Sequence, residues 1–372
     1  MPEAHGGNVD DAARCLGCRP AQLLDASASL APFPLPWSAR ASWLRTSFSA
    51  YPDRRLADLR GCISAVHRLP PELVLPGNGA AELFTWAARD AAAAGASLLP
   101  QPGFADYQRA LACWSGSTVP LELPLEWTSP CPAPFPDAFG QAAVAWITNP
   151  HNPTGQLWSR ASLEPLLNRF ALVICDEAFL PLVPQGEAQS LIPLVENHPN
   201  LVVIRSLTKL YGIAGLRLGY AVAQPERLQR WAHWRDPWPV NAVASAIAQE
   251  LLCSPQRFED WCARVQRWVA REGAWLKREL EALPGITPMP SAANYLLIRG
   301  ERDEQPLSLQ PLREALETRH RILLRDCRSF EGLDESWLRI GYQSRRGNRR
   351  IIRAMRQELP QALNSSNTPA SN

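Results

Sequence analysis

The chain has 372 residues, with 38 basic and 36 acidic side chains, a formal net charge of +2, and 46% hydrophobic residues. This length predicts roughly two or three domains with a sizeable buried core, and the hydrophobic content excludes wholesale disorder. The near balance of charge gives no reason to expect nucleic acid or an anionic membrane as the main partner.

Apolar runs alternate with longer helical patterns through the first two thirds of the chain. This alternation predicts an α/β fold with a mainly parallel sheet. The runs lack polar alternation, as expected of strands that are buried on both faces. The predicted strands are 73–75, 96–100, 142–148, 171–178, 201–207 and 218–223, with helices between them beginning at 80 and 159.

The pattern changes from about residue 255. A long amphipathic helix is predicted at 258–283, because apolar residues recur there at i, i+3 and i+4. NYLLIR, ILLRDC and WLRIGY predict short strands of a smaller second sheet. The proline-rich run PLELPLEWTSPCPAPFP predicts an irregular surface excursion, and the polar end NSSNTPASN predicts a frayed tail.

The beginning of the chain and its cysteines favour a cytoplasmic protein. MPEAHGGNVDDAARCLG is mixed and polar, and no run of about 18 apolar residues occurs. The nine cysteines form no repeating framework, which predicts reduced thiols. CLGC at 15–18 has CxxC spacing, but no second pair completes a zinc site, so no metal is predicted.

Four polar residues each follow a predicted strand. They are Asn152 in NPHNPTG, Asp176 in VICDEAF, Lys209 in RSLTKLYG and Arg217 in GLRLGY. The ends of parallel strands are where α/β folds build ligand sites, because loops and helix N-termini converge there. Taken singly, each motif is weak: an NPTG turn is more often a plain turn, a DE pair after a strand is more often a helix cap or magnesium ligand, and a lone lysine is nearly always a solvated charge. Their occurrence together, in this order, indicates one site.

The four motifs resemble those of the pyridoxal-phosphate enzymes of aminotransferase class I/II, fold type I, over nearly the whole chain. HGGN, QLLDASAS, TKLYGIAGLRLGY and RDCRSFEGLDESWLRIGY most resemble the threonine-phosphate decarboxylases of cobalamin biosynthesis and their relatives, the histidinol-phosphate aminotransferases. The resemblance implies a seven-stranded, mainly parallel sheet in a large cofactor-binding domain. The implied divisions are an N-terminal segment at 1–45 packing on the small domain and active site, the large domain at 46–250, a small α/β domain at 251–362 and a flexible tail at 363–372.

The resemblance assigns chemistry to the central residues. Pyridoxal 5'-phosphate acts as an electron sink. Asp176 would keep its ring nitrogen protonated, since a nearby carboxylate favours the charged form. Lys209 would hold the aldehyde through its amine and move protons. Asn152 would bind the phenolic oxygen and reach the substrate carboxylate, in a turn stiffened by prolines. Asn149, which begins the motif, is expected to have a structural role.

The cofactor phosphate needs donors. GNGAAELF at 77–84 precedes a helix, so the backbone N–H groups of Gly79 and Ala80 can face an anion. The resemblance adds a hydroxyl from Ser206 and the charged fork of Arg217.

Two aromatic residues complete the implied cofactor site. Tyr51 in FSAYPD resembles the tyrosine that reaches the phosphate of the neighbouring subunit's cofactor, which implies a homodimer with shared active sites. Phe104 in QPGFADY resembles the aromatic residue stacked on the pyridine ring, and its alternative interpretation is a core aromatic.

The implied substrate is a small phosphorylated amino acid. Arg339 would hold its carboxylate, because a guanidinium matches a carboxylate with two hydrogen bonds. Arg325, together with His5 and Gly6, would hold its phosphate. Without the resemblance, His5 would be interpreted as an untethered terminal residue.

The sequence departs from the family at two of these positions. Ser29 stands where the family often has Asn, and its shorter hydroxyl would reach the substrate through water. Phe179 stands where many aminotransferases carry Tyr. Phenylalanine also occurs there in the decarboxylases, which favours that branch.

The leading hypothesis is decarboxylation of L-threonine O-3-phosphate, and the alternative is transamination of histidinol phosphate in the same site. A regulatory protein that kept this fold would carry an extra DNA-binding domain, but only about 50 residues precede the large domain and no basic helix-turn-helix pattern occurs. A nucleotide-binding protein is excluded, since both GxGxxG and GxxxxGK[ST] are missing.

Overall fold

The computed structural model describes residues 6–128 and 132–365. The strands are β1 (Leu24–Asp25), β2 (Val74–Asn78), β3 (Ser97–Gln101), β4 (Thr118–Glu122), β5 (Val144–Thr148), β6 (Leu172–Asp176), β7 (Leu201–Ser206), β8 (Leu218–Val222), β9 (Ile286–Pro288), β10 (Tyr295–Arg302), β11 (Gln305–Pro306), β12 (Ile322–Leu323), β13 (Arg325–Asp326) and β14 (Trp337–Gly341). The α-helices are α1 (Val9–Cys15), α2 (Trp37–Ser42), α3 (Ala57–His67), α4 (Gly79–Ala94), α5 (Asp106–Ala112), α6 (Arg160–Leu163), α7 (Leu166–Arg169), α8 (Leu207–Tyr211), α9 (Pro225–Trp234), α10 (Ala242–Leu252), α11 (Pro255–Glu281), α12 (Gln310–His320) and α13 (Arg345–Ser365).

The large sheet has seven strands in the order β2-β8-β7-β6-β5-β3-β4. Only β8 runs against the others, pairing antiparallel with β2 and β7. Alternate residues of β6 enter opposite hydrophobic clusters, Val173 and Cys175 on one face and Leu172 and Ile174 on the other. The sheet is therefore buried on both faces, which explains why its strands read as continuous apolar runs. The predicted fold class and seven-stranded sheet are confirmed.

One sequence prediction is wrong at the edge of this sheet. The proline-rich run at 120–136 was expected to be irregular, but its first three residues belong to β4, which is parallel to β3 and pairs Pro120 with Leu99. The described residues 123–128 and 132–136 form no helix or named strand, as predicted. Proline is tolerated there because an edge strand leaves one row of backbone groups without sheet partners. β4 is mostly exposed, so it carries no long apolar run.

The smaller sheet is antiparallel, in the order β11-β10-β14-β13, with β9 paired to β10. The run ILLRDC was expected to form one strand but divides between two sheets. Ile322–Leu323 pairs in parallel with β1, and Arg325–Asp326 pairs with β14. The Gly341 amide also donates to the Ala26 carbonyl oxygen at 2.7 Å. The N-terminal segment is therefore bonded to the small sheet, while the domain boundaries stay a prediction.

Two helices complete the C-terminal part. α11 confirms the predicted long amphipathic helix, and its apolar face buries Val265, Trp268, Leu276 and Leu280. α13 continues to Ser365, so the predicted tail at 363–372 begins within a helix, and its residues 366–372 lie outside the described part of the chain.

The described residues also bear on thiols, metals and membranes. The eight cysteines at 15, 18, 62, 113, 175, 253, 262 and 327 are free. Across residues 6–128 and 132–365, no group of three or more His, Cys, Asp or Glu is placed to hold a metal ion. In that same part of the chain, no helix has both the length and the apolar character needed to cross a bilayer.

Candidate active site

A cavity of about 390 Å³ lies where the ends of the large-sheet strands meet the small sheet and the N-terminal segment. The register pairs Thr148 of β5 with Asp176 of β6, so the residues that follow these strands emerge side by side. Ten of the predicted site residues line this cavity: Gly6, Ala80, Phe104, Asn152, Asp176, Ser206, Lys209, Arg217, Arg325 and Arg339.

Asp176 is a buried carboxylate at the end of β6. Its Oδ2 accepts a hydrogen bond from the Tyr107 hydroxyl at 2.6 Å, and its Oδ1 accepts one from the Ala178 amide at 2.9 Å. Burial raises the pKa of Asp176 to about 6, although the hydrogen bonds from Tyr107 and Ala178 oppose this shift. A cationic group placed against Asp176 would restore the ordinary preference of this carboxyl for its charged form.

Lys209 lies in α8, three residues beyond the end of β7. Its Nζ donates to the Ala28 carbonyl oxygen at 3.2 Å and lies 5.6 Å from the centre of the Phe179 ring. Burial, together with the positive charges of Arg339 and Arg217, lowers the pKa of Lys209 to about 8. An amine with this lowered pKa reaches its neutral, nucleophilic form more readily than a surface lysine.

Asn152 and Arg339 are joined directly. An Nη1 of Arg339 donates to the Asn152 side-chain oxygen, and Nη2 donates to the Ser27 carbonyl oxygen at 3.0 Å. The guanidinium also stands 4.7 Å from the centre of the Tyr295 ring. Both side chains are therefore held in place from several directions, as orientation of a small substrate requires.

Asn149 is also buried but has a different role. Its amide nitrogen donates to the Trp158 carbonyl oxygen at 3.1 Å, and its oxygen accepts from the Trp158 amide at 2.9 Å. These bonds close the NPHNPTG turn on itself, in agreement with the expected structural role.

The beginning of α4 forms a cradle with Arg217. Gly79 has φ +75°, and a Cβ on it would lie 2.9 Å from Nη2 of Arg217. Gly219 of β8 passes so close that its Cβ would meet the Ala80 amide nitrogen at 2.9 Å. Ser206 completes the cradle, and its hydroxyl oxygen accepts from the Thr208 amide at 3.3 Å while its proton stays available. Backbone N–H groups at a helix N-terminus, a guanidinium and a hydroxyl are a donor set for a phosphate.

Arg325 lies on the small-sheet side of the cavity. It is buried, donates to the Ser329 hydroxyl at 2.5 Å, and stands 4.9 Å from the centre of the Phe330 ring. Gly6, Ser27 and Arg325 all line the cavity. Gly6 packs closely on Ser27, because a Cβ on Gly6 would lie 2.7 Å from the Ser27 carbonyl oxygen. The N-terminal segment thus reaches the cavity next to Arg325.

Four predicted residues are not in the cavity lining. Ser29 is fully buried, its hydroxyl has no partner in the part of the chain that the structure describes, and its carbonyl oxygen accepts from the Asn294 side chain at 2.8 Å. Tyr51 is 78% exposed and stacks on Trp238, with ring centres 4.2 Å apart. His5 lies outside the described residues. Gly79 contributes through its backbone, as the cradle shows.

Phe104 and Phe179 present aromatic rings to the cavity. Phe104 packs edge-on against Tyr107, with ring centres 5.5 Å apart, so it both borders the core and lines the cavity. Phe179 packs edge-on against Tyr295 at 5.2 Å. The two interpretations of Phe104, ring stacking and core packing, are therefore compatible.

Sequence reasoning missed Tyr107 and Ser27. Tyr107 stands three residues beyond Phe104 in QPGFADY, but its partner Asp176 is 69 residues away, so no local pattern links them. Ser27 hydroxyl donates to Asp25 at 2.6 Å and accepts from the Gly7 amide at 2.9 Å. The only sequence signal for Ser27 was its place in QLLDASAS.

The cavity fits pyridoxal phosphate in size and in donor chemistry. A phosphate cradle, a buried carboxylate, a lysine with a lowered pKa and an asparagine amide all face one space of about 390 Å³. This volume lies in the usual range for small-molecule sites.

Comparison with known proteins decides the family. Residues 41–355 match the family model described as aminotransferase class I and II. The chain belongs to this family. The threonine-phosphate decarboxylase of Salmonella typhimurium is 34% identical over 96% of this chain and 96% of that protein. The histidinol-phosphate aminotransferase of Symbiobacterium thermophilum is 32% identical, also over 96% of each chain.

A solved structure agrees with this assignment at the level of the fold. The histidinol-phosphate aminotransferase of Sinorhizobium meliloti, in complex with pyridoxal-5'-phosphate, is 20% identical, with a TM-score of 0.79 over 98% of this chain and 96% of that one. The family membership confirms the predicted fold type and the predicted pyridoxal-phosphate cofactor.

Proposed function

We propose that this protein decarboxylates L-threonine O-3-phosphate to (R)-1-aminopropan-2-yl phosphate, a reaction of cobalamin biosynthesis. The observation that carries the proposal is the pair of buried arginines, Arg325 and Arg339, in one cavity with Lys209. Threonine phosphate has two anionic groups on neighbouring carbons, a carboxylate and a phosphate. Two guanidiniums from adjacent strands match that compact pair of charges. The 34% identity to the Salmonella typhimurium decarboxylase supports it.

The cofactor residues follow from the geometry of the cavity. When bound, pyridoxal phosphate supplies an electron sink for the electron pair left at the substrate α carbon. Asp176 would face the ring nitrogen, and Asn152 would donate its amide to the phenolic oxygen. Gly79, Ala80, Ser206 and Arg217 would bind the phosphate, and Phe104 would cover one face of the ring.

The substrate residues would set which bond breaks. Arg339, already fixed by Asn152 and Ser27, would hold the carboxylate. Arg325 and Gly6 would hold the substrate phosphate, together with His5, which the structure does not describe. These contacts fix the rotation of the α carbon, and a bond is weakened most when it stands perpendicular to the cofactor ring.

Lys209 would handle the proton at the α carbon. Because its pKa is lowered to about 8, its amine exchanges a proton at a pH near neutrality more readily than an ordinary lysine does. After carbon dioxide leaves, Nζ of Lys209 would deliver a proton to the α carbon. Phe179 beside it offers no hydroxyl that competes for this role.

The alternative is a histidinol-phosphate aminotransferase, and the 32% identity to the Symbiobacterium thermophilum enzyme favours it. It would use the same phosphate-binding arginine and the same lysine. It would break the α C–H bond instead of the bond to a carboxylate, and it would need a keto acid to accept the amino group.

The deciding experiment is incubation of purified, cofactor-loaded protein with threonine phosphate and no keto acid. We expect stoichiometric release of carbon dioxide and formation of the phosphorylated amino alcohol, followed by mass spectrometry. Turnover that requires 2-oxoglutarate would overturn the decarboxylase assignment and favour transamination.

The protein is further proposed to act as a homodimer with shared active sites. The helix α2 and the segment that follows it expose large apolar side chains, with Phe48 76% and Tyr51 78% accessible and Trp37, Trp43 and Leu44 also exposed. Contiguous exposed apolar residues of this kind indicate a protein interface. A second copy covering this segment would bring Tyr51 toward the other cofactor phosphate. The cytoplasmic location stays a prediction.

A further inference from the structure

We propose that Tyr107 is a positioning residue that, with Thr148, keeps Asp176 oriented and charged toward the cofactor ring. The inference rests on the proposed role of Asp176 but not on the identity of the substrate. It concerns a residue that touches Asp176 and Phe104, two of the groups proposed to contact the ring at its edge and on its face.

The direction of the hydrogen bonds follows from donor counting. The Tyr107 hydroxyl donates its single proton to Oδ2 of Asp176 at 2.6 Å. Its oxygen lies 2.8 Å from Oγ1 of Thr148, so the Thr148 hydroxyl must donate in that contact. A chain therefore runs from Thr148 through Tyr107 to Asp176. Successive donation of this kind polarises each hydroxyl and strengthens the bond to the carboxylate.

The ring of Tyr107 is held independently of its hydroxyl. Tyr107 is the second residue of α5, and its side chain is buried. It packs edge-on against Phe84 at 5.1 Å between ring centres and lies tilted against Trp146 at 5.1 Å. The hydroxyl therefore points at Asp176 before any ligand binds, which is the preorganisation that a charged site needs.

The hydrogen bond from Tyr107 opposes the effect of burial on the charge of Asp176. Asp176 lies in a buried, low-dielectric place beside Glu177, and both burial and the Glu177 charge favour its neutral form. The Tyr107 bond acts in the opposite direction, because it stabilises the carboxylate. Removal of the hydroxyl leaves the Ala178 amide as the remaining backbone donor to Asp176 in the described contacts. The carboxyl then holds its proton to a higher pH.

The test is the pH dependence of cofactor affinity in the holoenzyme. Tyr107→Phe keeps the packed ring and removes the donor, and Thr148→Val removes the donor one step further back. The matched control is Tyr211→Phe, since the hydroxyl of this buried tyrosine has no hydrogen-bond partner among the described residues and its ring stacks on Trp261. Dissociation of pyridoxal phosphate is followed by its fluorescence between pH 5.5 and pH 8.5, a range that includes the raised pKa of Asp176, about 6.

We expect Tyr107→Phe to weaken cofactor binding about ten-fold at neutral pH, the scale of one hydrogen bond to a charged group. The pH at which affinity falls should also move upward. Thr148→Val should shift both in the same direction by less, and Tyr211→Phe should match wild type. In an Asp176→Asn background, Tyr107→Phe should add little, because the two residues act as a unit.

Two outcomes would overturn the inference. One is a Tyr107→Phe enzyme whose cofactor affinity follows the wild-type pH profile. The other is an equal loss of affinity in the Asp176→Asn background, which indicates a purely structural role. Either result leaves the decarboxylase proposal intact, because that proposal is tested by carbon dioxide release. Failure of carbon dioxide release likewise leaves the cofactor-affinity result valid.

Discussion

Arg325 and Arg339 occupy directly opposed positions in the antiparallel pairing of β13 with β14. Both are buried, and both line the cavity that contains Lys209. Like charges opposite each other on a sheet repel, so this arrangement is unfavourable by itself. An anion bound between the two guanidiniums relieves the repulsion. The ligand-free protein is therefore less stable at this position than it would be without one of the two charges, and an anionic ligand would recover that loss.

An anion should accordingly stabilise the cofactor-loaded enzyme. Inorganic phosphate is expected to raise the melting temperature, and at ten times its Kd the gain is about 1.4 kcal/mol. Arg325→Gln should abolish this gain while leaving the ligand-free enzyme as stable as wild type or more so. Differential scanning calorimetry measures both effects. Arg302→Gln is the control, because this exposed arginine lies in the same sheet away from the cavity. A phosphate response that survives in Arg325→Gln would contradict the assignment.

Lys209→Ala should reduce turnover by about three orders of magnitude or more, since in the proposed mechanism this residue would supply both the covalent attachment and the proton. Borohydride treatment of the wild-type holoenzyme should fix the cofactor to the peptide that contains Lys209, as read by mass spectrometry. The chain has only two lysines. Lys277→Ala is therefore a complete control, because Lys277 is partly exposed and paired with Glu281. Label on Lys277, or unchanged turnover in Lys209→Ala, would refute the assignment.

The lowered pKa of Lys209 makes the stability of the cofactor-free protein depend on pH. The unfolded chain keeps the lysine proton up to about 10.5, whereas the folded protein releases it near pH 8. Between these values the unfolded state binds more protons, so stability rises with pH. Relative to Lys209→Met, wild type should gain about 2 kcal/mol from pH 7.5 to pH 10, at 1.36 kcal/mol per pKa unit. Urea unfolding at the two pH values measures this. A constant difference between the variants would show that the lysine keeps its ordinary pKa.

A shared active site predicts rescue between two damaged subunits. Tyr51→Ala and Lys209→Ala should each be inactive, yet their hybrid dimer contains one intact site, with Tyr51 from one copy and Lys209 from the other. Co-refolding the two variants should restore up to about a quarter of wild-type activity if subunits combine at random in a twofold dimer. The matched control is Asp176→Ala with Lys209→Ala, because these lesions leave no intact site in any hybrid. Rescue in the control, or none in the test pair, would argue against a contribution from Tyr51 across the interface.

A buried ion cluster lies behind the active site and should control stability. Arg205 is fully buried, and it donates to Glu177 at 2.8 Å and to Glu187 at 2.7 Å. Arg205→Met leaves the buried Glu177 charge uncompensated, so the free energy of unfolding should fall by about 3–5 kcal/mol. Adding Glu177→Gln should recover part of the loss. Guanidinium unfolding measures both variants. A loss below about 1 kcal/mol would show that water already screens this cluster.

The sequence predicted those parts of the fold that carry a local signal. The inner strands were recognisable because burial on both faces leaves continuous apolar runs. β4 was missed because an exposed edge strand containing Pro120 has no such run. ILLRDC was assigned to one strand because its apolar pattern does not record that Leu324 lies between two different sheet pairings.

The site residues at the strand ends were predictable through the family motifs, whereas their partners were not. The contacts of Asp176 with Tyr107 and of Arg205 with Glu177 join residues distant in sequence. The direction of Glu177 was predictable, because successive side chains along a strand point to opposite faces of the sheet. With Asp176 facing the cavity, its neighbour Glu177 had to face the other way, toward Arg205.

The pairing of β1 with β12 links the surroundings of the Lys209 amine to the C-terminal part of the chain. Ala28, whose carbonyl oxygen holds Nζ of Lys209, comes three residues after β1, and the Ala31 amide bonds the Lys209 carbonyl oxygen at 3.0 Å. The segment from β1 to Ala31 therefore contacts both β12 and Lys209. Removing the first thirty residues would thus do more than shorten the chain, because it would also remove the acceptor that Ala28 offers to Nζ of Lys209 and the partner strand of β12.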